Sequence, residues 1–199
     1  MPIRRGSVNF ARFLVQGAVP KDVKRWLQSA LRKEAFEPID VKSEDERTAG
    51  FVELEAPERT DFEAGALFHG MHALFAWRVD KLKVSSSQVR TQLSQWAQAF
   101  EGKNGRPPGR REKSEQKDAI RRALRGKLEP STKVHEISVD LTAKELFVWA
   151  TSRPVVEEVQ AVLEDALDVK LLPRVPAAFM DEAKLDQLAP TAALFGEAA

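Results

Sequence analysis

The sequence predicts an α+β fold, an antiparallel sheet body packed with helices and carrying a projecting helical hairpin. Three observations predict it. LFAWRVDKLKV and KVHEISVD alternate apolar and polar residues at the period of strands with one buried face. Four other segments, around Trp26, Trp96, Ile120 and Val159, repeat apolar residues at helical spacing. The glycine- and proline-rich stretch GKNGRPPGRREK lies between two of those helical segments and folds them back as a hairpin.

In chain order, SVNFARFLVQ (Ser7 to Gln16) reads as a strand stopped by Gly17. Lys21 to Phe36 follows as an amphipathic helix with Val23, Trp26, Leu27, Ala30 and Leu31 on its apolar stripe, ended by Pro38. The charged run from Lys42 to Arg47 is a loop before a short strand at Phe51 to Leu54. Phe62 to Val84 reads as one or two antiparallel strands. Ser85, Ser86 and Ser87 then offer an N-cap for a helix with Val89, Leu93, Trp96, Ala97 and Phe100 on one side. Gly102 to Lys113 is expected to be loop, and Ser114 to cap a second helix over Glu115 to Leu128 with Ile120, Ala123, Leu124 and Leu128 on its apolar face. KVHEISVD and ELFVWAT form a β-hairpin, Ser152 and Pro154 open a last helix, and VKLL is a closing strand. The expected organisation is a body of residues 1–84 and 130–176, a basic hairpin excursion at 85–129, and a C-terminal tail at 177–199.

The chain has 199 residues, 43% of them hydrophobic and 31% charged, which is ordinary globular composition. It has no Cys, so disulfides, thiol nucleophiles and Cys-ligated zinc or iron–sulfur centres are excluded. No apolar run approaches the ~20 residues a membrane span needs, and the expectation is a soluble cytoplasmic protein.

Enzymatic motifs are scarce. His69 and His72 stand three apart in FHGMHALF, a spacing that shares a metal only on a helix. Gly70 disfavours a helix, a strand would put the two on opposite faces, and no acidic third ligand sits at a recognised spacing. They read as surface or packing histidines, and His135 has no adjacent acids to mark a triad. The phosphate-loop pattern fails because Asn104 stands where the magnesium-binding hydroxyl belongs. No metal, no cofactor and no catalytic residue is expected.

Charge is the informative feature. The net charge is +1, yet Lys103 to Lys127 holds ten Lys or Arg against three acids, a local +7 that leaves −6 for the other 174 residues. A field is set by where charges sit, so this block speaks to partners more than the mean does. Lys117, Arg121 and Arg125 are successive i, i+4 neighbours, with Arg122 beside them, and form one cationic row. Lys103, Arg106, Arg110, Arg111 and Lys113 are placed in the preceding loop, where GRPP faintly resembles a minor-groove arginine hook. A second row, Lys21, Lys24, Arg25 and Arg32, lies on the outer face of the first helix. Phosphate contact with nucleic acid is one reading, and a solvated helical hairpin partly compensated by Asp118 is the other.

The order of elements resembles the RdgC family of recombination-associated bacterial proteins. The resemblance is carried by KEAFEPID, AGFVELEAP, LFAWRVDKLKVSSSQVRTQL and the long stretch from KSEQKDAIRRALRGKLEP through DVKLLP, covering about residues 7–176. It implies sequence-independent binding of double-stranded DNA through phosphates, a homodimer closing around the duplex, a nucleoid location and a functional link to RecA. Family members usually continue for another large C-terminal portion, and the expectation is a chain shortened there, forming a dimer through the hairpin tips near Trp96 and Phe100. The rivals are a protein-interaction scaffold whose basic hairpin docks on an acidic partner, and a hydrolase using His69 and His72.

Overall fold

The structure is a computed structural model that describes residues 9–40, 43 and 45–174. The N-terminal end of the first expected strand, part of the loop at 41–44 and the 177–199 tail lie outside the described residues. Twelve elements follow one another in the order β1 (Ala11–Gln16), α1 (Val23–Lys33), β2 (Arg47–Glu53), α2 (Ala64–Leu67), β3 (Phe68–His69), β4 (His72–Lys81), α3 (Ser86–Asn104), α4 (Arg110–Arg125), β5 (Ser131–Asp140), β6 (Glu145–Trp149), α5 (Arg153–Leu167) and β7 (Lys170–Pro173). The strands form one seven-stranded sheet in the order β2-β4-β5-β6-β1-β7, with β3 paired to β4. The α+β class and the helical pair are as the sequence predicts.

Two compact units share the chain. Among the described residues the first comprises 9–34, 51–77 and 135–174. Here β1 pairs antiparallel with β6 and β7, and β6 with β5, so Phe13 faces Leu146, and Val148 faces Ala11 on one side and Ile137 on the other. Period-two alternation puts Leu146 and Val148 inside while Phe147 stays half-exposed. Leu27 and Leu31 of α1, and Val159, Leu163 and Leu167 of α5, complete the buried set with Phe51, Phe62 and Phe75. Glu145 ties the strands together: it accepts from Arg12 at 2.7 Å and from Arg174 at 2.9 Å.

The second unit comprises Ala35–Gly50 and Arg78–Val134 and contains the helical pair. Its core is Phe36, Ile39, Val79, Leu82, Val89 and Ile120. Gly50 is required by close approach, because a Cβ there would lie 2.6 Å from the Phe36 backbone nitrogen. Asp80 is buried against Arg78, with both carboxylate oxygens bonded, at 2.9 and 2.7 Å. Burial works against its ionisation, but the hydrogen bonds from Arg78 and Thr132 outweigh that and hold the carboxyl below its ordinary range.

Two boundaries differ from the sequence reading. Ala64–Leu67 forms one helical turn ahead of the strands. The long basic loop also shrinks to Gly105–Gly109, because α3 runs through Gly102 to Asn104 and α4 starts at Arg110 rather than after Ser114. Gly102 is tolerated in a last turn where a Cβ would meet nothing. Gly105, at φ +67, is the residue that ends α3 in the left-handed conformation. Glu112, the third residue of α4, accepts the Gly109 N–H at 2.7 Å and so satisfies an amide at the new N-terminus.

Candidate nucleic-acid interface

The helical pair presents the cations. Arg110, Lys113, Lys117 and Arg121 recur at i, i+3, i+7 and i+11 along α4, so they share one stripe, and all four are exposed. The stripe is about 16 Å long at 1.5 Å per residue, roughly half of the ~34 Å turn of duplex DNA. Arg122 is exposed on the adjoining face, and Lys103 is exposed at the end of α3. Lys103, Arg110, Lys113, Lys117, Arg121 and Arg122 take no ion-pair partner among the described residues, and neither does Asp118, so the compensation expected of that acid is absent there.

The remaining cations of the basic block are engaged. Arg106 forms a two-toothed pair with Glu112, at 2.9 and 2.8 Å, and lies 5.3 Å from the centre of the Phe100 ring. The Arg106 hydrogen bond, joined by the Gly109 amide, holds the Glu112 carboxyl down at about 2, and the same pairing raises the Arg106 pKa. Arg111 pairs with Glu115 one turn on, at 2.8 Å. Arg110, Arg111 and Lys113 are therefore helical residues rather than loop residues.

Arg125 leaves the row altogether. It is 8% exposed, and its guanidinium donates to the carbonyls of Asp40 at 3.2 Å and Asp45 at 2.5 Å. Its i+4 spacing from Arg121 predicts a phosphate contact, but carbonyls remote in sequence capture it, a partner that spacing cannot reveal. It is a positioning residue that ties the C-terminal turn of α4 to the segment before β2.

The second row is half engaged. Lys24 sits 5.2 Å from the centre of the Phe68 ring and Arg32 donates to the Asp61 carbonyl at 2.9 Å, while the side chains of Lys21 and Arg25 have no bonded partner among the described residues. Trp96 and Phe100 are half-buried, on successive turns of the same helix, with ring centres 5.2 Å apart and planes tilted by 44°.

His69 and His72 are brought together, contrary to the opposite-face expectation. A two-residue turn at Gly70 and Met71 makes them cross-strand partners, with the positive φ on Gly70 as in a type II′ turn. Among the described residues no group of three His, Cys, Asp or Glu could hold a metal ion. Arg90, exposed on α3 opposite Lys117 and Arg121, is a functional candidate that the sequence reading missed, since nothing in sequence places it against α4. No helix among the described residues is long and apolar enough to cross a membrane.

No curated protein matches the chain. The family model described as "Putative exonuclease, RdgC" matches residues 11–186, a span that contains every described element of the fold. With the match extending over most of its length, the chain belongs to the RdgC family.

Proposed function

We propose that the protein binds double-stranded DNA without sequence preference, as a homodimer associated with the nucleoid, and so modulates RecA-dependent recombination. The observation that carries this reading is the exposed, unpaired stripe of Arg110, Lys113, Lys117 and Arg121, flanked by Lys103 and Arg122. Like charges at i, i+4 repel by a few tenths of a kcal/mol per pair, a cost that a phosphate chain reverses. Phosphate contacts from such cations position a protein and carry no sequence information, which favours sequence independence. Lys21 and Arg25 are assigned as secondary phosphate contacts.

Binding without cleavage is the favoured form, although the family description names an exonuclease. Two-metal nuclease chemistry needs clustered carboxylates, and among the described residues no group of three His, Cys, Asp or Glu could hold a metal ion. A salt titration with two unrelated duplexes tests the reading. Similar affinities and a log–log slope near −5, about −0.9 for each of Lys103, Arg110, Lys113, Lys117, Arg121 and Arg122, are expected. Tight binding to one sequence that survives high salt refutes sequence independence, magnesium-dependent release of nucleotides refutes the non-enzymatic form, and a monomer by light scattering at micromolar concentration refutes the dimer.

A further inference from the structure

Between α3 and α4 lies a cleft of about 260 Å³, lined by Ser86, Val89, Arg90, Leu93, Lys117 and Arg121. Its apolar part is Val89, buried, and Leu93, half-buried. Its rim is cationic: Arg90, Lys117 and Arg121 are exposed and have no ion-pair partner among the described residues. A duplex uses the rim and has no use for the apolar part, because a phosphodiester carries no group that gains by leaving water. The combination calls for a ligand with both characters.

We propose that this cleft is a docking site for an acidic protein segment that inserts one large apolar side chain. Charge complementarity selects the class, with carboxylates of the segment meeting Arg90 on α3 and Lys117 and Arg121 on α4. Size selects the anchor: an apolar cavity of about 150 Å³ accepts a benzene molecule, so the cleft has room for one Phe or Leu side chain. Lys117 and Arg121 belong to the phosphate stripe as well. An acidic segment in the cleft therefore takes cations away from DNA, and a partner protein carrying such a segment releases the chain from the duplex.

The test uses the full chain and a fluorescein-labelled peptide of Asp and Glu with one central Phe, followed by fluorescence anisotropy. The expected result is binding that weakens about tenfold when the peptide Phe is replaced by Ser, the order of effect expected for burying one such side chain. Leu93→Ser in the protein weakens the peptide to the same degree and leaves duplex affinity unchanged. Arg90→Gln, at an exposed position that cannot disturb the core, weakens the peptide severalfold. Peptide and duplex displace each other. Equal affinity for the Phe and Ser peptides overturns the proposal and makes the rim a plain anion patch, as does peptide binding indifferent to both Leu93→Ser and Arg90→Gln. Binding of the Phe peptide with this pattern by a chain that binds no duplex supports the cleft and refutes the DNA reading alone.

Discussion

Arg125 and the pair Lys117 and Arg121 lie on one helix at one spacing, yet substitution should affect them in opposite ways. Replacing Lys117 and Arg121 together by Gln removes two exposed charges and no bonded partner. Duplex affinity should fall and the log–log salt slope should become shallower by about 1.8, at 0.9 for each phosphate no longer neutralised, with thermal stability unchanged. Arg125→Gln strips charged hydrogen bonds from the carbonyls of Asp40 and Asp45 inside the second unit. Charged hydrogen bonds contribute ~1.5–3 kcal/mol each and are not additive, so about 3 kcal/mol is expected for the loss. At 2–4 °C per kcal/mol for a chain of this size, the melting temperature should drop by roughly 6–12 °C. The salt slope should stay as it was. Anisotropy with a fluorescent duplex at several salt concentrations, beside differential scanning calorimetry, reads both quantities on each variant. A shallower slope for Arg125→Gln at unchanged melting temperature would refute the division between positioning and contact residues, as would an unchanged slope for the double variant.

Three further outcomes follow from individual interactions. Gly50→Ala forces a Cβ to within 2.6 Å of the Phe36 backbone nitrogen and should cost at least about 3 kcal/mol in urea unfolding; a change under about 1 kcal/mol would contradict the close approach. Glu145 is held below the ordinary carboxylate range by Arg12 and then Arg174, so its contribution is complete above the unfolded value of about 4.3 and is lost as pH falls through the lower folded value. Glu145→Gln should therefore lower the urea midpoint at neutral pH and flatten its fall on acidification, and a parallel acid limb in both proteins would count against the hub. Glu112 should titrate by NMR near 2, with its bonds to Arg106 and Gly109 intact above about 4.3 and broken as pH falls toward 2; Glu112→Gln frees Arg106 and should steepen the duplex salt slope by about 0.9, an unchanged slope indicating that Arg106 does not face DNA.

The fold was legible wherever periodicity and punctuation agreed. Val89 to Phe100 repeats at helical spacing after three serines, and Ser85 caps α3 as that pattern requires, its Oγ accepting the Gln88 amide. KVHEISVD and ELFVWAT gave β5 and β6 because alternation at period two leaves only one way to bury Ile137, Leu146 and Val148. The start of α4 was not legible, since the sequence offers Ser114 as a cap while the helix uses a carboxylate, Glu112, reaching back to Gly109. Side-chain partners remote in sequence were illegible for the same reason at the site. Arg125 and Arg121 differ only in what lies across from them, as do Arg32, bonded to Asp61, and Arg25.

The electrostatics of α4 strengthen the assignment from a direction independent of residue spacing. The N-terminus of a helix carries a partial positive charge, so a cation in the first turn is unfavourable by ~0.3–1 kcal/mol, and α4 opens with Arg110 and Arg111 followed soon by Lys113. Glu112 offsets part of this, yet its carboxylate is already held by Arg106 and the Gly109 amide. Arg111 is relieved by Glu115, which leaves Arg110 and Lys113 facing both the helix dipole and the repulsion of Lys117 and Arg121. A helix selected for its own stability would carry acids at these positions. An anion lying along the stripe relieves the dipole and the row together, and a phosphate chain does so over the whole length from Arg110 to Arg121, which a single bound ion at the helix start does not.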